Sequence, residues 1–431
     1  MPTAARGATL ILLGALLAQA PLTAAAYQPR DPEPSTPPTT SVPSEPVSTP
    51  TPTPTETPSP TATPSPSAPV PEQPAARSWS EVVKQVTETS PGDMQLRATD
   101  TSAQAKSIMR CFKLDDENYC LGLGFVDQVP TGAQVEATLS PPDMHADGET
   151  GVEQDISTGD LTPAALVAQR AAMPKSVRVT AELDEMQAAW DGREKARDLR
   201  LLATGSDTTP AAPMPTATPT PSTPPRTAPT KGVPTAKPTV TKPPVAPVKV
   251  PASAYIMKGF QTSQEKGYWC GPATFQSIDW ADDNQKDTQA SWAKDLGSTT
   301  GGTAISAMVR QTNLKTAWPK AAGTYVVQNV SGWNAQTFFT VHQKHLGVYK
   351  APVIEHVQLL KRYFPYLAFN HSGHYQVGRG YDKANGTIAI YEVFNERRFN
   401  SRGNVTDGPR NIPASALFNA TLANSFKNIG L

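Results

Sequence analysis

One of the three cysteines in this chain sits where a nucleophile would. Residues 264–274 read QEKGYWCGPAT, so Gly271 and Pro272 directly follow Cys270. Residues 273–280 then have helical character, which places Cys270 at or beside a helix N-terminus. Unpaired backbone N–H groups and the helix dipole at such a position favour a thiolate. The plainer alternative is a buried structural thiol, because free cysteine is among the most buried residue types. Gln264 lies upstream at a spacing that lets a short loop bring its amide beside the sulfur. Its side-chain N–H and the Cys270 backbone N–H would together hold an oxyanion.

A thiol nucleophile needs an imidazole to take its proton and return it to the leaving amine. His374 opens the string HYQVGRGYD, an alternating apolar strand with a turn expected at Gly380-Tyr381-Asp382. A second strand, TIAIY at 387–391, ends at Glu392. A hairpin sets the end of its second strand beside the start of its first, so Glu392 faces His374. A carboxylate there fixes the tautomer and orientation of the ring. Asn395 is the alternative orienter, and His371, in an expected loop, is a competing base. His342 and His345 have an i, i+3 spacing within a helical stretch expected over 334–356, which also contains His356. They are a metal candidate, but no cysteine or second pair completes a site. Neither a metal nor a cofactor is expected.

These motifs resemble the C39-like family of papain-like cysteine peptidases. Its members carry a glutamine, then a CGPA helix start, then HYxVxxGYD followed by an acidic residue, usually Asp-Pro. The family's nucleophile falls on Cys270, its oxyanion glutamine on Gln264 and its base on His374. Residues 288–300, Gly302-Thr303 and a helix through Val309 also fit, so the resemblance covers about 255–400. The departure is Glu392-Val393 in place of Asp-Pro. The resemblance implies a helical part carrying Cys270 packed against an antiparallel sheet carrying His374, with a cleft between them. It implies a hydrolase that cleaves peptide or related amide bonds of a peptide or protein substrate through an acyl-enzyme. Two other readings use the same residues. One is transglutaminase-like amide exchange, which shares the Cys-His-acid order. The other is a stalked cell-surface binding protein with a decayed site. A cell-wall amidase fits less well, because the Asp-Cys-Ser motif is missing.

The elements that must position these residues occupy only part of the chain. Of 431 residues, 45 are proline, about twice the usual share of roughly 5%. Seventeen fall in 27–77 and fourteen in 206–251, both rich in threonine, the first also in serine and the second in lysine. Such stretches have little to bury and favour extended, disordered linkers. Residues 1–26 read as a secretory signal: Arg6, an apolar run, then Ala24-Ala25-Ala26. The mature chain is expected outside the cell, secreted or at its surface, with cell-wall association through the stalk-like linkers. Membrane attachment is expected only if the signal segment stays uncleaved.

Two folded regions remain, 78–205 and 252–431, both expected to be α+β, the second papain-like. In the first, helices are expected at 80–87, from Thr162-Pro163 through Ala172, and over 182–202. The last has Leu183, Met186, Trp190 and Arg197 on one stripe. The string CFKLDDENYCLGLGFV reads as a hairpin around an Asp-Asp-Glu-Asn turn. Cys111 and Cys120 flank that turn and are expected to pair in an oxidising compartment. Their spacing is wrong for zinc, and only His145 is near. Residues 78–205 carry 21 acidic and 12 basic side chains, and 252–431 carry 11 and 18. The zero net charge excludes a uniformly basic, nucleic-acid-coating protein. The opposed charges raise intramolecular docking of the acidic region on the basic one.

Overall fold

The computed structural model describes residues 77–142, 144, 157–205 and 249–431. The signal reading at 1–26, His145 and nearly all of both proline-rich segments lie outside the described residues. The described residues fall within one compact unit of α+β architecture.

The N-terminal region begins with helices α1 (Trp79–Thr89), α2 (Asp93–Arg97) and α3 (Thr101–Ile108). Ser78 starts α1 with a reciprocal capping box to Glu81. Strands β1 (Cys111–Leu114) and β2 (Glu117–Cys120) form the expected hairpin, and a disulfide joins Cys111 to Cys120. The turn is tighter than expected: Asp115 (φ 52°) and Asp116 make it, and Glu117 and Asn118 already belong to β2. Strand β3 (Gly124–Val126) and α4 (Gly132–Thr138) follow. Helix α5 (Pro163–Ala172) is capped by Thr162, whose hydroxyl accepts the Ala165 N–H at 3.2 Å. Helix α6 (Lys175–Ala203) starts about two turns earlier than expected, directly after Pro174. Met186 lies in the core with Leu183 and Trp190 against it, but Arg197 leaves the stripe and pairs with Glu194 at the surface.

After β4 (Ser253–Tyr255), four helices form one wall: α7 (Cys270–Asp283), α8 (Gln289–Asp295), α9 (Ile305–Lys315) and α10 (Trp318–Ala322). The opposite wall is sheet, with β5 (Val327–Asn329), β6 (Val353–Gln358), β7 (Gly373–Asp382), β8 (Thr387–Glu392), β9 (Gly408–Pro413) and β10 (Asn428–Gly430). Helices α11 (Ala335–His342), α12 (Glu396–Phe399) and α13 (Ala414–Ala423) complete the fold. Two sequence expectations fail here. The helix expected over 334–356 ends early: α11 passes into a π turn at Gln343–Val348, Lys350 takes φ 54°, and the chain becomes β6. Pro352 and the β-branched Val353, Ile354 and Val357 favour that extended continuation, so His356 lies on a strand. The β7–β8 turn comes later than Gly380–Asp382. Asp382 accepts the N–H groups of Ala384 and Asn385, and Gly386 supplies φ 62°.

The strands join in the order β1-β2-β3-β5-β10-β6-β7-β8-β9, with β4 on β7. Residues 78–205 and 252–431 thus share one sheet. The junction is a parallel pairing of β3 with β5 at Phe125 and Gln328. One apolar core spans both regions, containing Phe112, Tyr119 and Phe125 together with Val326, Phe338 and Ile429. A second lies between the helical wall and the sheet: Phe275, Ile278, Trp292 and Met308 pack with Tyr375 and Val377. Cys270 belongs to this second core, and His374 precedes its Tyr375 on β7.

Candidate active site

Helix α7 starts at Cys270, and Trp269 precedes it without a side-chain cap. The N-terminal N–H groups are therefore left to other partners. Gly271 lets this end approach the neighbouring loop, because a Cβ there would lie 2.6 Å from Thr303 side-chain atoms. The other wall is tied to α7 by Thr274, whose hydroxyl donates to the Tyr375 carbonyl at 3.1 Å. Cys270 is fully buried. It is not held as the thiolate that a helix start alone favours. Burial, and after it the carboxylate of Asp160, push its thiol well above the ordinary range. Backbone groups of Tyr375 and Gly271 oppose the rise without overcoming it, and Glu392 adds to it.

His374 is fully buried on β7. Its Nε2 lies 2.7 Å from Oε1 of Glu392 at the end of β8. Its Nδ1 is buried and has no hydrogen-bond partner. The Glu392 carboxylate is saturated with donors. Oε1 also takes the Phe394 N–H at 2.8 Å, and Oε2 takes Tyr366 Oη at 2.9 Å and Gln376 Nε2 at 2.7 Å. Burial alone would raise this carboxyl. The His374 charge and bond, with the Phe394 and Tyr366 donors, outweigh burial and hold it below its ordinary range. Asn395 is turned elsewhere, its amide donating to Asp407 at 2.8 Å. Tyr366 and Gln376 are not found by sequence reasoning. Gln376 had a usable signal, since residues i and i+2 of a strand share a face and it follows His374 by two.

Gln264 is fully buried, its backbone N–H donating to the Val393 carbonyl at 2.7 Å beside Glu392. Its Nε2 reaches the carbonyls of Gly267 (2.8 Å), Lys266 (3.0 Å) and Thr158 (3.3 Å). The Cys270 N–H donates to that same Thr158 carbonyl at 3.2 Å. The two donors expected to hold an oxyanion thus converge on one oxygen.

The remaining histidines have separate partners. His371 Nε2 pairs with Glu396 at 2.8 Å, next to the site but with its own carboxylate. His342 bonds Glu355 at 2.9 Å, His356 bonds Asp160 at 3.1 Å, and His345 Nδ1 meets the Ala351 carbonyl. The i, i+3 pair is thus divided between different partners. Among the described residues no group of three or more histidine, cysteine or acidic side chains is arranged to hold a metal. No helix among them is long and apolar enough to cross a membrane.

Residues 260–406 match the model of the Peptidase_C39 like family. The match contains Gln264, Cys270, His374 and Glu392. No curated protein and no solved structure matches the chain.

Proposed function

The C-terminal region being a C39-like peptidase domain, we propose that it is a papain-like cysteine hydrolase of peptide or related amide bonds. The observation that carries this reading is the His374–Glu392 pair. One imidazole nitrogen is fixed by a fully bonded carboxylate and the other is free, on the strand that the Thr274–Tyr375 bond ties to the helix beginning at Cys270. In the proposed reaction His374 takes the thiol proton, and the sulfur bonds to the substrate carbonyl carbon. The oxyanion lies between the Cys270 N–H and the Gln264 amide. The C–N bond breaks as His374 returns the proton to the leaving amine. Water, deprotonated by His374, then cleaves the thioester and releases the acid. Glu392 holds the ring throughout, its longer side chain serving where the family usually has aspartate. The role of orienter therefore goes to Glu392 and not to Asn395.

We place the protein outside the cell, secreted or at its surface. The Cys111–Cys120 disulfide supports an oxidising compartment. The mechanism is tested with a peptidyl electrophile that alkylates an activated thiol. His374→Ala should slow its reaction with Cys270 by roughly 10²–10⁴-fold, the usual worth of a positioned base. Equal, measurable rates in the two proteins would refute the mechanism. Release of a free carboxylate, with no amine incorporated, separates hydrolysis from amide exchange.

A further inference from the structure

The oxygen that takes both oxyanion donors belongs to the chain itself, 106 positions before Gln264. Residues 157–161 run between the two walls of the site, bending at Gly159 and bridging at Asp160. On the sheet side, the Thr158 N–H donates to Ser372 Oγ at 3.1 Å, and its hydroxyl donates to the Gly373 carbonyl at 2.5 Å. On the helical side, the Gly159 carbonyl accepts the Thr303 N–H at 2.9 Å. The Leu161 N–H donates to the Thr303 carbonyl, also at 2.9 Å, closing a parallel bridge between Asp160 and Thr303. Gly159 has φ 116°, and a Cβ on it would lie 2.4 Å from the Tyr268 backbone, so no other residue fits there without displacement. Asp160 Oδ2 is held by His356 and by Asn424 Nδ2, each at 3.1 Å. Backbone pairing on one side and side-chain anchoring on both is how an extended peptide is bound in a groove.

We infer that this groove is a binding site for an extended peptide, and that residues 157–161 occupy it in cis and keep Cys270 latent until they are displaced. The inference rests on the hydrolase reading and adds the state in which the enzyme is made. While the Thr158 carbonyl holds the Cys270 and Gln264 donors, no substrate carbonyl can use them. The Asp160 carboxylate of the segment also adds to the upward push on the buried thiol. A displacing substrate has to make the same contacts, with a glycine or a bare backbone against Tyr268.

Iodoacetamide tests the inference, because it needs an accessible thiolate but no catalysis. Cys270 is the one cysteine outside the disulfide, so labelling of the native full chain reads it alone. The wild type should label far more slowly than a cysteine in a short peptide. Asp160→Asn and Gly159→Ala, checked for unchanged thermal unfolding, should label at least about tenfold faster, as the open fraction rises. A wild-type thiol as reactive as the free peptide overturns the inference whatever the variants do. So do folded variants that label at the wild-type rate. Cleavage between Thr158 and Gly159 in the wild type, absent from Cys270→Ala, also overturns it, because the segment would then be a substrate that leaves. Faster labelling of the variants, together with no effect of His374→Ala on the peptidyl electrophile in the Asp160→Asn background, keeps the occupied groove and rejects the hydrolase.

Discussion

The carboxylate of Glu392 receives four donors, and only one of them is His374. Glutamine in its place keeps the size but removes the charge and turns a donor toward Tyr366 or Gln376. Glu392→Gln should therefore lower peptide hydrolysis by roughly 10²-fold or more, since a ring held in the wrong tautomer is a poor base. It should also change the acid limb of stability. The folded carboxyl lies below its ordinary range, so its contribution is complete above that range and is lost as pH falls through the folded value. Chemical denaturation across the acid range should show a shallower loss in the variant than in the wild type. Identical limbs would mean that Glu392 titrates alike in both states. The pair was legible in the sequence because a hairpin makes it local. Tyr366 was not, because it comes from the loop after β6 and nothing in its own neighbourhood marks it.

The β1–β2 hairpin closes a short loop with the Cys111–Cys120 disulfide, nine residues apart. The chain-entropy relation assigns such a loop roughly 2–3 kcal/mol. Replacing both cysteines by alanine should lower the unfolding free energy by that amount in a denaturant titration. An unchanged midpoint would mean that β3 and the rest of the sheet already fix the hairpin. Elements with strong local punctuation were readable from sequence, such as α5 behind Thr162-Pro163 and the start of α7 at Cys270. Elements fixed by tertiary packing were not. The strand β6 reads as the tail of a helix until it is seen between β7 and β10, where both of its faces are buried.

At the scale of the molecule, opposite charge is a minor part of how the two regions meet. Among the described residues, Arg310–Asp184 joins them as a partly exposed ion pair, which is worth little, and His356 is hydrogen-bonded to Asp160. Strand pairing and shared apolar core carry the contact. Gly192 shows how close it is: a Cβ there would lie 2.1 Å from Val326, so α6 packs nearly backbone-first on the approach to β5. A protease site inserted between residues 206 and 248 tests this. After cleavage the two fragments should elute together in size-exclusion chromatography, even at high salt. Separation in salt would restore electrostatics as the main term. The placement of residues 157–161 lay beyond sequence reasoning because their partners are distant, from Gln264 at 106 positions to Asn424 at 264.

The parallel junction of β3 with β5 also sets an order of events during synthesis. Gln328 is made some 200 residues after Phe125. Until it emerges, the β1–β3 strands end in an open edge, the kind of surface that pairs with other chains. Nascent protein is thus exposed to aggregation for longer than a region of this size folding alone. Pairings so distant in sequence also fold slowly, so the yield of native protein depends on protecting that edge until its partner strand arrives.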